Sequence, residues 1–344
     1  MPDNTYLSWI SSQTKTRWWH DSAEQNELLR GLERGAVGVT TNPYLANVAL
    51  AKHRTLWASE IDAVLAQGLQ PEAKAEALMR IVVTHTAEKL MPQFEASSGR
   101  SGFVCGQVNP GRAGERETMA AMARRYHAWM PNIAVKLPAT SAGLDVLEDC
   151  IAEGITATAT VSFTVPQALA IAERHRQGIA RARQAGVEPG KCFAVIMIGR
   201  LDDFLREVAQ DNRAAVSEED IRQSGLAVTK RAYALYRERG YEAVLLVAAL
   251  RGTYHLTELA GADLLMSIAP AFQEPFVTRE FPREERIERP VPADVIEKLS
   301  AIPEFVRAYD PGGMTPADFV SFGATQRTLS QFCEVGWRPM EGLR

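Results

Sequence analysis

The sequence predicts a closed (β/α)8 TIM barrel with a C-terminal helical extension, and three observations carry that expectation. Eight short apolar, β-branched runs recur along the 344 residues, most of them separated by segments of helical periodicity. That alternation is the pattern of parallel strands joined by helical crossovers. No Gly-rich dinucleotide fingerprint follows the first run, so an open doubly wound sheet lacks its usual mark. Beyond about Phe276 the pattern changes, and Pro282, Pro290, Pro292 and Pro303 punctuate a tail too short to bury much core alone. The expected division is a barrel over residues 1–275 and a helical extension over 276–344 packed on it.

Strands are expected near Thr16–His20, Ala36–Thr40, Phe103–Val108, Ile133–Leu137, Ala157–Phe163, Phe193–Ile198, Ala243–Ala248 and Leu264–Ile268. After the first, Ser22 can cap a helix running through Arg34. The stretch from Tyr44 to Gly102 is too long for one crossover and is expected to hold two or three helices. Ser141 can cap a helix through Glu153, and Pro166–Ala185 reads as a long helix whose proline sits where no amide donor is missed. Ser217 with Asp220 makes a capping-box pattern ahead of a long helix ending at Gly240. A late helical segment is expected around Pro316–Cys333.

Composition narrows the function classes. Lys plus Arg total 38 against 42 for Asp plus Glu, a net charge of -4 that gives no support to a nucleic-acid or membrane-surface partner. Cys105, Cys150, Cys192 and Cys333 are scattered, with no CxxC pair and no His/Cys cluster at zinc spacing. They read as buried free thiols of a reducing compartment, and no metal is expected. The N-terminus lacks a secretory pattern and no run reaches transmembrane length, so a cytoplasmic location is expected.

The run Ile133-Ala134-Val135-Lys136-Leu137-Pro138 places a lysine in an otherwise apolar strand. With Val135 and Leu137 on one face, Lys136 must share the other with Ala134 and Pro138. If that face looks into a barrel, desolvation favours the neutral amine, a nucleophile toward a ketone carbonyl. The plainer alternative is a lysine near a strand end with its stem on apolar surface and its head in water. A barrel's active site lies at the C-terminal ends of its strands. Those ends supply Asp21, Thr41, Asn42, Gln107, Asn109, Lys136, Thr160, Ser162, Arg200 and Arg251. One amine, one carboxylate, neutral polar groups and two arginines suit amine-dependent carbon–carbon chemistry on a phosphorylated sugar. Each also has a plainer role: Asp21 in a helix cap, Asn42-Pro43 as turn punctuation, Arg200 in a surface ion pair with Asp202 or Asp203.

Taken in order, these segments resemble the transaldolase family. Gly38-Val39-Thr40-Thr41-Asn42-Pro43 is similar to its second-strand motif and Val135-Lys136-Leu137-Pro138-Ala139-Thr140 to its Schiff-base motif. The likeness continues through Thr160-Val161-Ser162-Phe163-Thr164, Gly199-Arg200-Leu201-Asp202-Asp203, Arg251 and Leu259-Ala260-Gly261. The resemblance implies that Lys136 forms the Schiff base and that Asp21 is the general acid/base for the C3–C4 bond. It further implies that Asn42 holds a donor hydroxyl, that Thr160 positions a proton-relaying water, and that Arg200 and Arg251 grip a phosphate. Thr41, Thr158 and Ser162 complete the expected substrate contacts.

No cofactor or metal is implied. The expected partner is a small sugar phosphate, and a homo-oligomer is compatible with the resemblance.

The chain departs from the family at several points. Gln107 stands where familiar transaldolases carry glutamate, as it also does in the fructose-6-phosphate aldolase branch, and an amide cannot exchange a proton with a water it holds. Thr158 replaces an asparagine, Val195 a serine, Met197 an aromatic and Ala249 a serine that helps hold phosphate. The expected activity is therefore a transaldolase moving a dihydroxyacetone unit from a ketose phosphate such as fructose 6-phosphate to an aldose phosphate. The alternatives are a direct aldolase releasing dihydroxyacetone and a catalytically silent barrel that only binds.

Overall fold

All eight predicted runs form strands: β1 (Arg17–His20), β2 (Gly38–Val39), β3 (Phe103–Gln107), β4 (Ile133–Pro138), β5 (Ala157–Thr160), β6 (Cys192–Met197), β7 (Val244–Ala248) and β8 (Leu265–Ile268). In the computed structural model, which describes residues 5–344, they pair in parallel and in chain order, and β8 closes the barrel on β1. β5 stops three residues short of the expected Phe163 because Val161 adopts a left-handed φ of 55°, outside the extended region. Ala249, with φ 60°, follows the end of β7 in the same conformation.

Three helices, Pro43–Lys52, Ala58–Leu65 and Pro71–Ala96, fill the long second crossover. Several expected caps are displaced by one or two residues. The helix after β1 spans Gln25–Glu33, and its cap is Glu24, whose carboxylate accepts the amides of Asn26 and Glu27 at 3.1 and 2.9 Å. Ser22 instead donates to Glu27 at 2.7 Å. Likewise Thr140, not Ser141, caps helix Ser141–Ala152 by accepting from the Gly143 amide at 3.1 Å. The Ser217/Asp220 capping box forms, but it caps only the short helix Glu218–Ile221; a separate helix, Ser224–Arg239, runs to a left-handed Gly240.

The barrel floor is aromatic. The rings of Trp19 and Phe193 lie 4.7 Å apart and those of Phe103 and Phe193 5.5 Å apart. Gly38 makes room for this layer, since a Cβ there would lie 2.5 Å from the Trp19 ring. Polar side chains can therefore collect only above it, toward the C-terminal ends of the strands.

The tail forms helices Ala293–Leu299, Pro303–Tyr309, Pro316–Phe319, Gly323–Phe332 and Arg338–Glu341, with a π-turn over Cys333–Trp337. The segment expected as one helix near 316–333 is thus two, and helix Pro270–Thr278 runs across the expected division at 275/276. The tail lies against the barrel's helices, Pro303–Tyr309 on Ser224–Arg239 and Gly323–Phe332 on Ile198–Asp211. It buries Phe305, Phe319, Phe322 and Trp337, each worth roughly 1.5–3 kcal/mol in transfer from water. Among the described residues no helix is long and apolar enough to cross a membrane, and no group of three or more His, Cys, Asp or Glu is placed to hold a metal ion.

Candidate active site at the barrel mouth

Lys136 lies between Gln107 and Thr158, its register partners on β3 and β5. Register neighbours on parallel strands share a face, so the three side chains line the same stretch of lumen. Lys136 is only 5% exposed, and its Nζ donates to the main-chain carbonyl of Thr41 at 3.0 Å. Burial holds its pKa below that of an ordinary lysine; Cys105 and Asp21 pull the other way, and Arg200 adds to the lowering. The surroundings thus favour the uncharged, nucleophilic form. Cys105 is also buried, with Sγ 3.6 Å from the Thr158 hydroxyl, and burial raises its pKa so that it remains a thiol.

Two buried acceptors near this lysine, Gln107 Oε1 and Thr160 Oγ1, make no hydrogen bond to the protein. A buried polar atom left unpaired costs about 1–3 kcal/mol, so the pair is suited to a polar guest beside Lys136.

Asp21 follows β1 and is not the helix cap, which Glu24 provides. Its Oδ1 accepts the Thr40 hydroxyl at 2.7 Å, and Thr40 Oγ1 also meets Ser267 Oγ. Thr40 has one proton, so Ser267 supplies the proton of the second contact. The result is a relay of hydroxyls, Ser267 to Thr40 to Asp21, that orients the carboxylate from two other strands.

The remaining predicted residues divide by what already holds them. Thr41 donates its hydroxyl to the Cys105 carbonyl at 2.6 Å and Ser162 to the Val195 carbonyl, so both protons are committed to the scaffold. Asn42 caps helix Pro43–Lys52 by accepting from the Leu45 amide at 3.0 Å, which leaves its Nδ2 side for a ligand. Asn109 caps the short turn Pro110–Arg112 and donates to Glu72 at 2.7 Å, in a clamp that Arg112 completes.

Arg200, in the first turn of helix Ile198–Asp211, donates to Gln331 and lies over the Phe332 ring at 5.3 Å. It makes no ion pair with Asp202 or Asp203. Asp203 instead holds Arg251, from Nε at 2.8 Å and from the terminal guanidinium nitrogen at 2.7 Å. The two guanidiniums are near enough that Arg251 lowers the pKa of Arg200, after the larger effect of burial. The two guanidiniums thus stand close together at the barrel mouth, just after β6 and β7, with Asp203 paired to one of them. A cavity of about 680 Å3 lies on the outer face, between helix Ser224–Arg239 and the tail, and none of the predicted site residues lines it.

The family model described as transaldolase/fructose-6-phosphate aldolase matches residues 18–303. The chain belongs to this family. Among similar proteins are transaldolases of Neisseria gonorrhoeae, 30% identical over 214 residues covering 61% of this chain and 59% of the relative, and of Mycolicibacterium smegmatis, 28% over 253 residues covering 69% and 66%. The transaldolase of Mycobacterium bovis is 30% identical over 232 residues, covering 64% and 61%. The matched region thus spans about three fifths to two thirds of these curated relatives' length.

Within this family member, sequence reasoning passes over three features of the mouth. Ser267 carries no motif, and its tie to Thr40, across β1, is visible only once β8 closes the barrel on β1. Gln331 and Phe332 reach Arg200 from the tail. Asp202 makes a buried pair with His255 at 3.0 Å, although the histidines form no pattern in sequence. Their one available signal is the second Asp of the Gly199–Asp203 motif, since Arg200 could pair with only one of the two.

Proposed function

We propose that this chain is a transaldolase working through a Schiff base on Lys136. The neutral amine attacks the C2 carbonyl of a ketose, and the carbinolamine takes up one proton from solvent and loses water to give an iminium ion. Asp21 takes the proton of the C4 hydroxyl, the C3–C4 bond breaks, and its electrons pass into the nitrogen-stabilised enamine while an aldose leaves. The enamine carbon then attacks an acceptor aldehyde, Asp21 returns the proton, and water hydrolyses the iminium. The observation that carries this reading is the buried amine of Lys136 held by Thr41, with the unpaired acceptors of Gln107 and Thr160 beside it. These two would hold the water that moves protons at the imine. Asn42 and Thr158 would contact the donor, with Thr41 and Ser162 shaping the wall behind it. Arg200 and Arg251 would bind the phosphate of a donor such as fructose 6-phosphate and of the aldose acceptor. Free thiols at Cys105, Cys150 and Cys192, all buried, suit a reducing, cytoplasmic setting.

Gln107 favours a second reading, a direct aldolase that releases dihydroxyacetone, because an amide holds water without titrating. The test is to supply a ketose phosphate and an aldose acceptor, then measure transfer product against free dihydroxyacetone. Transfer in excess supports the first reading; release in excess replaces it with the second. Gln107→Glu adds a titratable acid beside the imine and should shift the ratio toward transfer with a new pH dependence. An unchanged ratio and profile would remove Gln107 from the proton relay.

A further inference from the structure

We propose that Asp202 and His255 are positioning residues that fix the backbone of Arg251 and so set the affinity for the substrate's phosphate; this rests on reading Arg251 as a phosphate ligand. The loop that carries Arg251 begins at Ala249, whose φ of 60° is costly for a residue with a Cβ, so something must hold the chain there. The main-chain N–H of Arg251 donates to His255 Nδ1 at 3.2 Å. A backbone amide can only donate, so Nδ1 is the bare nitrogen and the imidazole proton sits on Nε2. Nε2 faces Asp202 Oδ2 at 3.0 Å, and both side chains are fully buried. The other oxygen, Oδ1, accepts the Ser224 hydroxyl and the Gly225 amide, each at 2.8 Å. A continuous line of hydrogen bonds, buried except at its Arg251 end, therefore ties the start of helix Ser224–Arg239 to the backbone of Arg251.

The same helical turn controls the Arg251 side chain. Gly199 admits it, since a Cβ there would lie 2.4 Å from Arg251 Cγ, and Asp203 binds its guanidinium. Gly199, Asp202 and Asp203 thus define one arginine by space, by backbone and by charge. An arginine placed this firmly spends less ordering free energy on capturing an anion.

Asp202→Asn tests the line with little change in volume. Gly225 and Ser224 both donate to Oδ1, so that atom must remain oxygen and the new amide nitrogen faces His255 Nε2. His255 has one proton, and wherever it sits a donor now meets a donor, either at the new side-chain amide or at the Arg251 main-chain amide. KM for a phosphorylated ketose should rise about tenfold, while kcat/KM for an unphosphorylated donor stays within about twofold. Ser224→Ala removes one bond from the same carboxylate but leaves the Gly225 amide, Asp202, His255 and the Arg251 amide connected, so it should lower the melting temperature and leave KM unchanged. No change in KM with Asp202→Asn, or an equal rise with Ser224→Ala, overturns the proposal. If Asp202→Asn does not fold, His255→Asn against His255→Ala carries the test. The Asn amide oxygen can replace Nδ1 as acceptor for Arg251 and should recover part of the KM lost in Ala; equal KM values overturn the proposal.

Arg251→Ala, measured in parallel, separates the two claims. Equal loss on phosphorylated and unphosphorylated donors removes the phosphate reading itself. Selective loss with Arg251→Ala but none with Asp202→Asn removes only the positioning role.

Discussion

The Nζ of Lys136 donates to the main-chain carbonyl of Thr41 at 3.0 Å, across the top of β3 from β4 to the loop after β2. A neutral amine has two N–H groups and one lone pair, so the bond to Thr41 uses one N–H and leaves the lone pair uncommitted. The same carbonyl would also accept from the ammonium form, but burial works against that form.

Stability should record this conflict. The folded-state pKa of Lys136 lies below that of a free lysine, so between the two values the unfolded chain binds a proton that the folded chain does not. Stability then rises with pH across that window, and below it the full cost of burying the ammonium is present. Lys136→Met removes the charge and keeps much of the stem. It should melt higher than the parent near neutral pH, and the difference should shrink as the pH climbs toward the free-lysine value. A variant less stable than the parent at every pH would contradict this.

Asp21 and its hydroxyl relay should separate in magnitude. Asp21→Asn keeps the size but removes the base, with an expected loss of about 10²–10⁴ in turnover. Thr40→Val removes the 2.7 Å bond to Asp21 together with the contact to Ser267, but leaves the carboxylate in place, and should cost roughly tenfold in kcat. Steady-state kinetics of both variants with one donor check the order; a Thr40 variant as damaged as the Asp21 variant would show that Thr40 does more than orient the carboxylate.

His20 gives an acid-stability prediction away from the chemistry. It lies against Gly31 and accepts from Gln273 Nε2 at 2.8 Å, and burial pushes its pKa down to about 4. The unfolded chain gains a proton below about 6.5, so stability is present above that pH and is lost as the pH falls toward 4, up to about 3 kcal/mol. His20→Asn keeps an acceptor for Gln273 and cannot titrate. Urea unfolding at pH 7.5 and 4.5 should show a smaller drop in this variant; an equal drop would place the acid sensitivity elsewhere.

The barrel was legible because each strand is a short apolar run with a polar or turn residue at its end, and Lys136 stood out as a charge inside one of them. What stayed hidden depended on contacts made across the fold. Ser22 looks like a better helix cap than Glu24, yet the helix starts two residues later, where the longer carboxylate reaches two amides. Arg200 precedes two aspartates in sequence, yet helical geometry turns Asp203 to Arg251 and Asp202 to His255. Thr41 and Asn42 sit in the right motif, but it is the closed barrel that brings the Thr41 carbonyl to the lysine, and the backbone turn after β2 that makes Asn42 a helix cap.

The central claim is that Lys136 is the nucleophile, and reductive trapping tests it most directly. The protein is incubated with a ketose phosphate, reduced with borohydride, digested and mapped by mass spectrometry. The account predicts one dihydroxyacetone-derived adduct, on Lys136, absent from Lys136→Met. An adduct on Lys191 or Lys230 instead, or none on the parent protein while it turns over the same ketose, would contradict it.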